Sequence, residues 1–173
     1  MVIGAYFQVH FYFRRRRRQM VSLQERFAPD SICFGCGPKN KQGLHIKSVV
    51  SDDPGIVTAS WTPMKHHHAF PGVLNGGIIG AIMDCHSNWA AAWALRESDD
   101  CRELPSTVTA WFRIDLAKPT PMDQPLTLTA QCVEKSTRKA QIKTTLMVDD
   151  TVTATCDALF VAVNQDHPAS HRW

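Results

Sequence analysis

No stretch of this sequence reaches the roughly 18 consecutive apolar residues that a membrane-crossing helix needs, so stable insertion into a bilayer is not expected. Cysteine is sparse: six of 173 residues, at 33, 36, 85, 101, 132 and 156, too scattered and too few for a disulfide scaffold. That usage suits a reducing compartment, and a cytoplasmic location follows as the expectation. Cys33 and Cys36 form a lone C-x-x-C. With no second such pair and no paired-histidine motif, the four ligands of a zinc site are missing, His45 being the nearest candidate for a third. Two thiols packed in a turn is the simpler reading, and no metal or other cofactor is expected. A basic field is lacking too. The net charge of +3 rests on the run Arg14 to Arg18; without it 14 basic residues face 16 acidic ones, which argues against nucleic acid as a partner of the folded part. There are no internal repeats.

The opening MVIGAYFQVHFYF places its apolar residues before the arginines, the reverse of a secretory signal. An apolar segment followed by a basic one can hold an anionic membrane surface. The plainer expectation is a disordered extension over residues 1–19, with the natural start at Met20 and poor order through residue 30. Residues 31–164 are expected to form one domain, which the length allows, and 165–173 a disordered tail.

What is present is a change of pattern. VSLQERFAPD suggests a short amphipathic helix ended by Pro29, and CFGCGPKNKQG is rich in turn formers. Leu44 to Val50 and Ile56 to Trp61 read as two strands joined by the turn Asp53-Pro54-Gly55. From Gly76 to about Glu97 there is no proline, and IIGAIMDCHSNWAAAWALRE is apolar or small on nearly every face, the mark of a helix buried on all sides. Strand chemistry then returns in Ser106–Leu116, Leu126–Val133, Ala140–Val148 and Val152–Val163. Tight turns between these predict an antiparallel meander. An α+β fold results, in which the sheet buries the helix by curling around it.

The residues Asn75-Gly76-Gly77 and Asp84 carry the chemistry. Glycines at a helix start let the backbone approach a ligand, and the first N–H groups have no intrahelical partner. With the macrodipole they suit a carbonyl oxygen gaining negative charge; the alternative is that Gly76 and Gly77 merely permit a tight turn. Asp84 lies in an otherwise apolar helix. Desolvation raises the pKa of a carboxylate and fits it for general-base work at neutral pH; the alternative is a solvated Asp on an exposed stripe with His86, Ser87 and Asn88.

FPGVLNGGIIGAIMDCHSNWAAAW resembles the glycine-started helix of the phenylacetyl-CoA-thioesterase-like (PaaI-type) hotdog proteins, which read P-G-x-x-H-G-G with an Asp or Glu nine residues after the His. CFGCGPKNKQGL and TVTAWFRIDLAKPTP are similar to the segments before and after it, so the resemblance spans about residues 32–163. It implies a hotdog fold, an antiparallel sheet wrapped around one long helix. It also implies an acyl-CoA substrate, hydrolysed as a thioester to the free acid and CoA. In that comparison the Gly76 N–H polarises the carbonyl, Asp84 is base or nucleophile, and Thr109 positions the attacking water. Asn75 stands where the family has His; it can hydrogen-bond but not titrate. Rival readings are an acyl-thioester hydratase or dehydratase, which needs the missing histidine, and a non-catalytic acyl-CoA-binding hotdog protein.

Gly77 is the second backbone approach point. His68, with its neighbours His66 and His67, and Lys118, Arg96 or Arg102 are candidates for CoA phosphates; the histidines otherwise read as an extended solvated loop. Trp89, Trp93 and Trp111 are core or acyl-pocket walls, and Cys85 reads as a buried thiol. Gly76 and Asp84 lie about 12 Å apart along one helix, too far to serve one carbonyl. A homodimer with shared active sites is therefore expected, alone or within a tetramer.

Overall fold

A computed structural model describes residues 21–170. In chain order it contains α1 (Leu23–Phe27), β1 (Val49–Val50), β2 (Ile56–Trp61), a 3-10 turn (Lys65–His67), β3 (His68–Phe70), β4 (Val73–Leu74), α2 (Gly76–Ala94), β5 (Thr107–Leu116), β6 (Leu126–Lys135), β7 (Lys139–Val148) and β8 (Thr151–Ala162). Six strands make one antiparallel sheet in the order β1-β2-β6-β7-β8-β5, and β3 and β4 form a separate two-stranded ribbon.

Strand alternation decides which side of this sheet takes the helix. Along β7, Ala140, Ile142, Thr144, Leu146 and Val148 are buried while the residues between them are not. The register carries that face across Leu128 and Ala130 of β6 and Ala154, Cys156, Ala158 and Phe160 of β8. Against it lies α2, whose Ile79, Ile82, Met83 and Trp89 are buried, and the helix touches β2, β5, β6, β7 and β8. Alanines on both sides (130, 140, 154 and 158 in the sheet, 90 to 92 in the helix) let the two approach closely. Each large side chain buried here contributes about 1.5–3 kcal/mol. One long helix packed on a six-stranded antiparallel sheet is the hotdog architecture.

Several sequence expectations change. The last four strands are not a simple meander: β6, β7 and β8 are, but β5 pairs with β8 at the far edge. The link through Pro119 and Pro121 runs back to β6 without a hairpin; Leu74 N–H donates to Thr120 O at 2.9 Å within it. Only Val49–Val50 of the segment 44–50 is strand, because Leu44 N–H and Ile46 N–H donate to Phe34 O and Gly35 O of the cysteine loop. Residues 21–30 are ordered, contrary to the expectation of poor order through residue 30. Ser22 and Glu25 form a capping box on α1, and the buried Gln24 bonds Ser48 twice. Residues 165–170 make turns, with Ser106 Oγ donating to Ser170 O at 2.9 Å, in place of a disordered tail. The expectations for residues 1–19 lie outside the described residues. Among those described, no helix is long and apolar enough to cross a membrane.

Candidate active site

The start of α2 is held from three sides. Asn75 is its N-cap, with φ −66° and ψ 132°, and its Oδ1 accepts from Gly77 N at 2.8 Å and Ile78 N at 3.3 Å. Asn75 N–H donates to His67 O at 3.0 Å. His67 is buried and stacked on Trp61, ring centroids 5.3 Å apart, and burial followed by the neighbouring His66 pulls its pKa down. The histidines therefore occupy a 3-10 turn and a ribbon, not an extended solvated loop. His68 alone of the proposed phosphate contacts in this run is on the outward strand, its Nδ1 2.5 Å from Lys65 O. The capping oxygen serves Gly77 and Ile78 and passes over Gly76, whose N–H at the first helical position has no hydrogen-bond partner among the described residues.

Two turns further along, Asp84 is half-buried, and Thr109 Oγ1 of β5 donates to its Oδ1 at 2.8 Å. The stripe Gly76, Gly80, Asp84 repeats every fourth residue and stays partly open. So α2 is not buried on all sides: in its first half Gly77, Ala81 and Cys85 are open as well as this stripe. That stripe is not the polar one expected for a solvated Asp, since His86, Ser87 and Asn88 are all buried and bonded. Ser87 Oγ lies 2.7 Å from Thr144 Oγ1, and Thr107 Oγ1 donates to Asn88 Oδ1 at 2.6 Å. His86 Nε2 is 3.2 Å from Val57 O and its Nδ1 2.8 Å from Ser48 Oγ. These partners assign the Nε2–H tautomer, with Ser48 donating to Nδ1 and accepting from Gln24. Burial lowers the His86 pKa to about 4, against a raising contribution from Val57 O.

A bulge in β5 shapes the cleft. Thr109 pairs with Phe160 and Trp111 with Leu159, leaving Ala110 as the extra residue. Before it, Thr107 and Thr109 face α2; after it, Phe112, Ile114 and Leu116 do, and they close a cleft of about 390 Å³ with Gly76, Gly80 and Asp84. Trp111 falls on the other side with Arg113 and Asp115, which bond each other at 3.1 Å, so it does not line this cleft as an acyl-pocket wall. Phe112, Ile114 and Leu116 are the lining residues that sequence reasoning missed. Their signal was available: unbroken alternation from Thr109 would turn Arg113 and Asp115 to the apolar helix. A methyl at Gly76 would come within 3.1 Å of Leu116 Cδ1, so this glycine lets the strand approach the helix closely. Gly77 lines the same cleft. Lys118 sits exposed two residues past Leu116, its backbone N–H on Thr153 O. Arg96 is engaged by Asp99 and lies over Trp93, 3.9 Å from the ring centroid, while Trp89 is core.

Cys85, on the neighbouring face of α2, does not stand alone. Its Sγ is 3.7 Å from Cys33 Sγ, and with Cys36 the three sulfurs lie within 4.8 Å of one another; His45 is not in the group. Hydrogen bonds from the Cys36 and Cys85 thiols pull the Cys33 pKa down, and sharing with Cys33 pushes those of Cys36 and Cys85 up.

No protein-family model and no curated protein matches the chain. Solved structures do. A thioesterase superfamily protein from Shewanella loihica PV-4 is 28% identical over 69% of this chain and 91% of its own, with a TM-score of 0.58. The chain has the hotdog fold of the thioesterase superfamily. Two more distant hotdog structures agree in fold. A thioesterase from Haemophilus influenzae is 13% identical, with 72% of this chain and 82% of its own covered and a TM-score of 0.61. A putative thioesterase, a phenylacetic acid degradation-related protein from Ralstonia eutropha JMP134, is 17% identical over 69% and 86%, with a TM-score of 0.58.

Proposed function

We propose that this hotdog protein is an acyl-CoA thioesterase. The observation that carries the reading is the carboxylate of Asp84, oriented by Thr109, in a cleft whose other end is the unpartnered Gly76 N–H. A thioester carbonyl gains negative charge as water or a carboxylate adds to it. The Gly76 N–H and the positive end of the α2 dipole stabilise that charge. Asp84 takes the proton of the attacking water, or attacks and is then released by water; either way one water is consumed and the products are the acid and CoA thiol. Thr109, by donating to Oδ1, holds the carboxylate and fixes which oxygen faces the substrate. Phe112, Ile114 and Leu116 give the acyl group apolar walls and exclude water from the charge. Asn75 shapes the glycine turn through its cap and transfers no proton.

The active unit in this reading is a homodimer, alone or within a tetramer, in which Gly76 of one protomer and Asp84 of its partner act on the same carbonyl. Lys118 and His68 are exposed, and in this reading they offer hydrogen-bonding contacts to the CoA phosphates. The deciding experiment is thiol release from a panel of acyl-CoAs of different chain length and aromatic character. Turnover of at least one, with free acid as the product, is expected; binding without thiol release across the panel overturns the reading.

A further inference from the structure

The turn C-F-G-C-G is folded around its sulfurs and pressed onto α2. Gly37 N–H donates to Cys33 O at 2.8 Å, closing the loop, and a methyl on Gly37 would lie 2.4 Å from Cys33 N. The indole N–H of Trp89 donates to Cys36 Sγ at 3.3 Å. From the helix side Cys85 completes the group, and a methyl on Gly35 would fall 2.3 Å from its Sγ, so glycine there is what lets the third sulfur in. Cys33 and Cys85 remain partly exposed, which leaves a route from solvent.

We propose that Cys33, Cys36 and Cys85 bind a thiophilic d10 cation, with Zn²⁺ as its representative, through three thiolates and a fourth, exogenous ligand. Sulfurs on a tetrahedral Zn²⁺, each about 2.3 Å from the metal, stand about 3.8 Å apart. The Cys33–Cys85 separation is 3.7 Å, and the other pairs, within 4.8 Å, need only a small contraction. A disulfide needs its sulfurs near 2 Å and would leave the third thiol without a role. Loading places three thiolates on the metal and releases the protons that the sulfurs still carry; nothing is oxidised. The ion would tie the loop to the residue after Asp84, so its effect is to fix the loop and the middle of α2 together.

The test uses the reduced full-length chain, stripped with a chelator and titrated with Co²⁺ as a spectroscopic stand-in. One equivalent should bind, with thiolate-to-cobalt charge-transfer and tetrahedral d–d bands that Zn²⁺ abolishes. Cys33→Ser and Cys85→Ser should lose the bands while Cys101→Ser and Cys132→Ser keep them. Should a variant fail to fold, the wild-type chain answers alone: Zn²⁺ should slow alkylation of Cys33, Cys36 and Cys85 together by at least ~10-fold and leave Cys101 and Cys132 unchanged. No charge-transfer bands at saturating Co²⁺ overturn the proposal. So do bands that persist in a folded Cys85→Ser chain, or unaltered alkylation of the three thiols.

Discussion

Thr109 Oγ1 donates a 2.8 Å hydrogen bond to Asp84 Oδ1, joining the middle of α2 to the edge strand β5 just before its bulge. A donor on one oxygen helps to hold the plane of the carboxylate. Asp84→Asn keeps shape and removes basicity: it should leave the fold intact and cut turnover by at least ~10²-fold. Thr109→Val removes only the donor and should cost about 10-fold in kcat, the scale of one hydrogen bond to a charge. Thiol-release kinetics on folded variants check both, and near-normal turnover in Asp84→Asn sinks the mechanism.

The cap on α2 makes a separate stability prediction. Asn75 Oδ1 accepts from two N–H groups that have no intrahelical partner. Asn75→Ala should destabilise the chain by about 1 kcal/mol, and Asn75→Asp, which caps as well and suits the dipole, should not. Urea unfolding distinguishes them. Equal loss in both variants would mean that the amide nitrogen, not the capping oxygen, matters.

The bulge at Ala110 separates two adjacent aromatics into different roles. Phe112 lines the cleft and Trp111 does not. Phe112→Ala should raise KM for the preferred acyl-CoA by about 10-fold, as expected for losing about two buried methylene equivalents at about 0.8 kcal/mol each. Trp111→Ala should leave KM within about 2-fold of wild type, as expected for a side chain that takes no part in binding. The reverse pattern would place the acyl group on the opposite face of β5.

How far the sequence alone reached follows from the range of the interactions. The start of α2 was legible, since Asn-Gly-Gly before a proline-free apolar run is a local signal, and the helix begins at Gly76 as expected. Asp84 was legible as a misfit in that run. Strand β2 was read to the residue, because alternation is local. The position of β5 beside β8 was not, since pairing between distant segments leaves no local trace and only Pro119 and Pro121 hinted against a hairpin. Cys85 beside Cys33 is likewise a contact across 52 residues. The polar run His86-Ser87-Asn88 suggested a wet face because its partners, Ser48, Val57, Thr144 and Thr107, lie on other elements.

His86 gives the chain a pH-dependent stability. Fully buried, it has its pKa lowered to about 4 in the fold, while in the unfolded chain a histidine titrates near its ordinary value of 6.5. Above that value both states are neutral and stability is undiminished. As pH falls from 6.5 toward 4 the unfolded chain takes up a proton that the native ring refuses, so stability falls, by about 3 kcal/mol in total. Glu25 acts in a lower window: the Lys47 ion pair, with Ser22, holds its pKa at about 2, and that contribution fades below the ordinary glutamate value of 4.5. Urea unfolding from pH 7.5 to about 4.5, with the His86 ring followed by NMR, checks this. A ring that titrates near its unfolded value in the native state contradicts the assignment.

The shared-site dimer is testable by complementation. Gly76 and Asp84 stand about 12 Å apart along α2, yet oxyanion donor and base must both lie within about 3–4 Å of the reacting atoms. Two antiparallel helices across a two-fold axis bring the start of one to the middle of the other. Gly76→Pro removes the donor N–H at the first helical position, where proline is tolerated. The backbone suits it: Gly76 is not among the positive-φ glycines, which are Gly55 and Gly72, and Asn75 already has the extended conformation required before proline. Leu116 Cδ1, the far end of a flexible side chain, is the one atom near the added Cβ. Chains carrying Gly76→Pro or Asp84→Asn should each be inactive. In a mixed dimer one site holds both lesions and the other holds neither, so activity should return to about half the sites of each hybrid. Exchange of subunits without any recovery, shown by differently tagged chains co-purifying, would place both groups within one protomer.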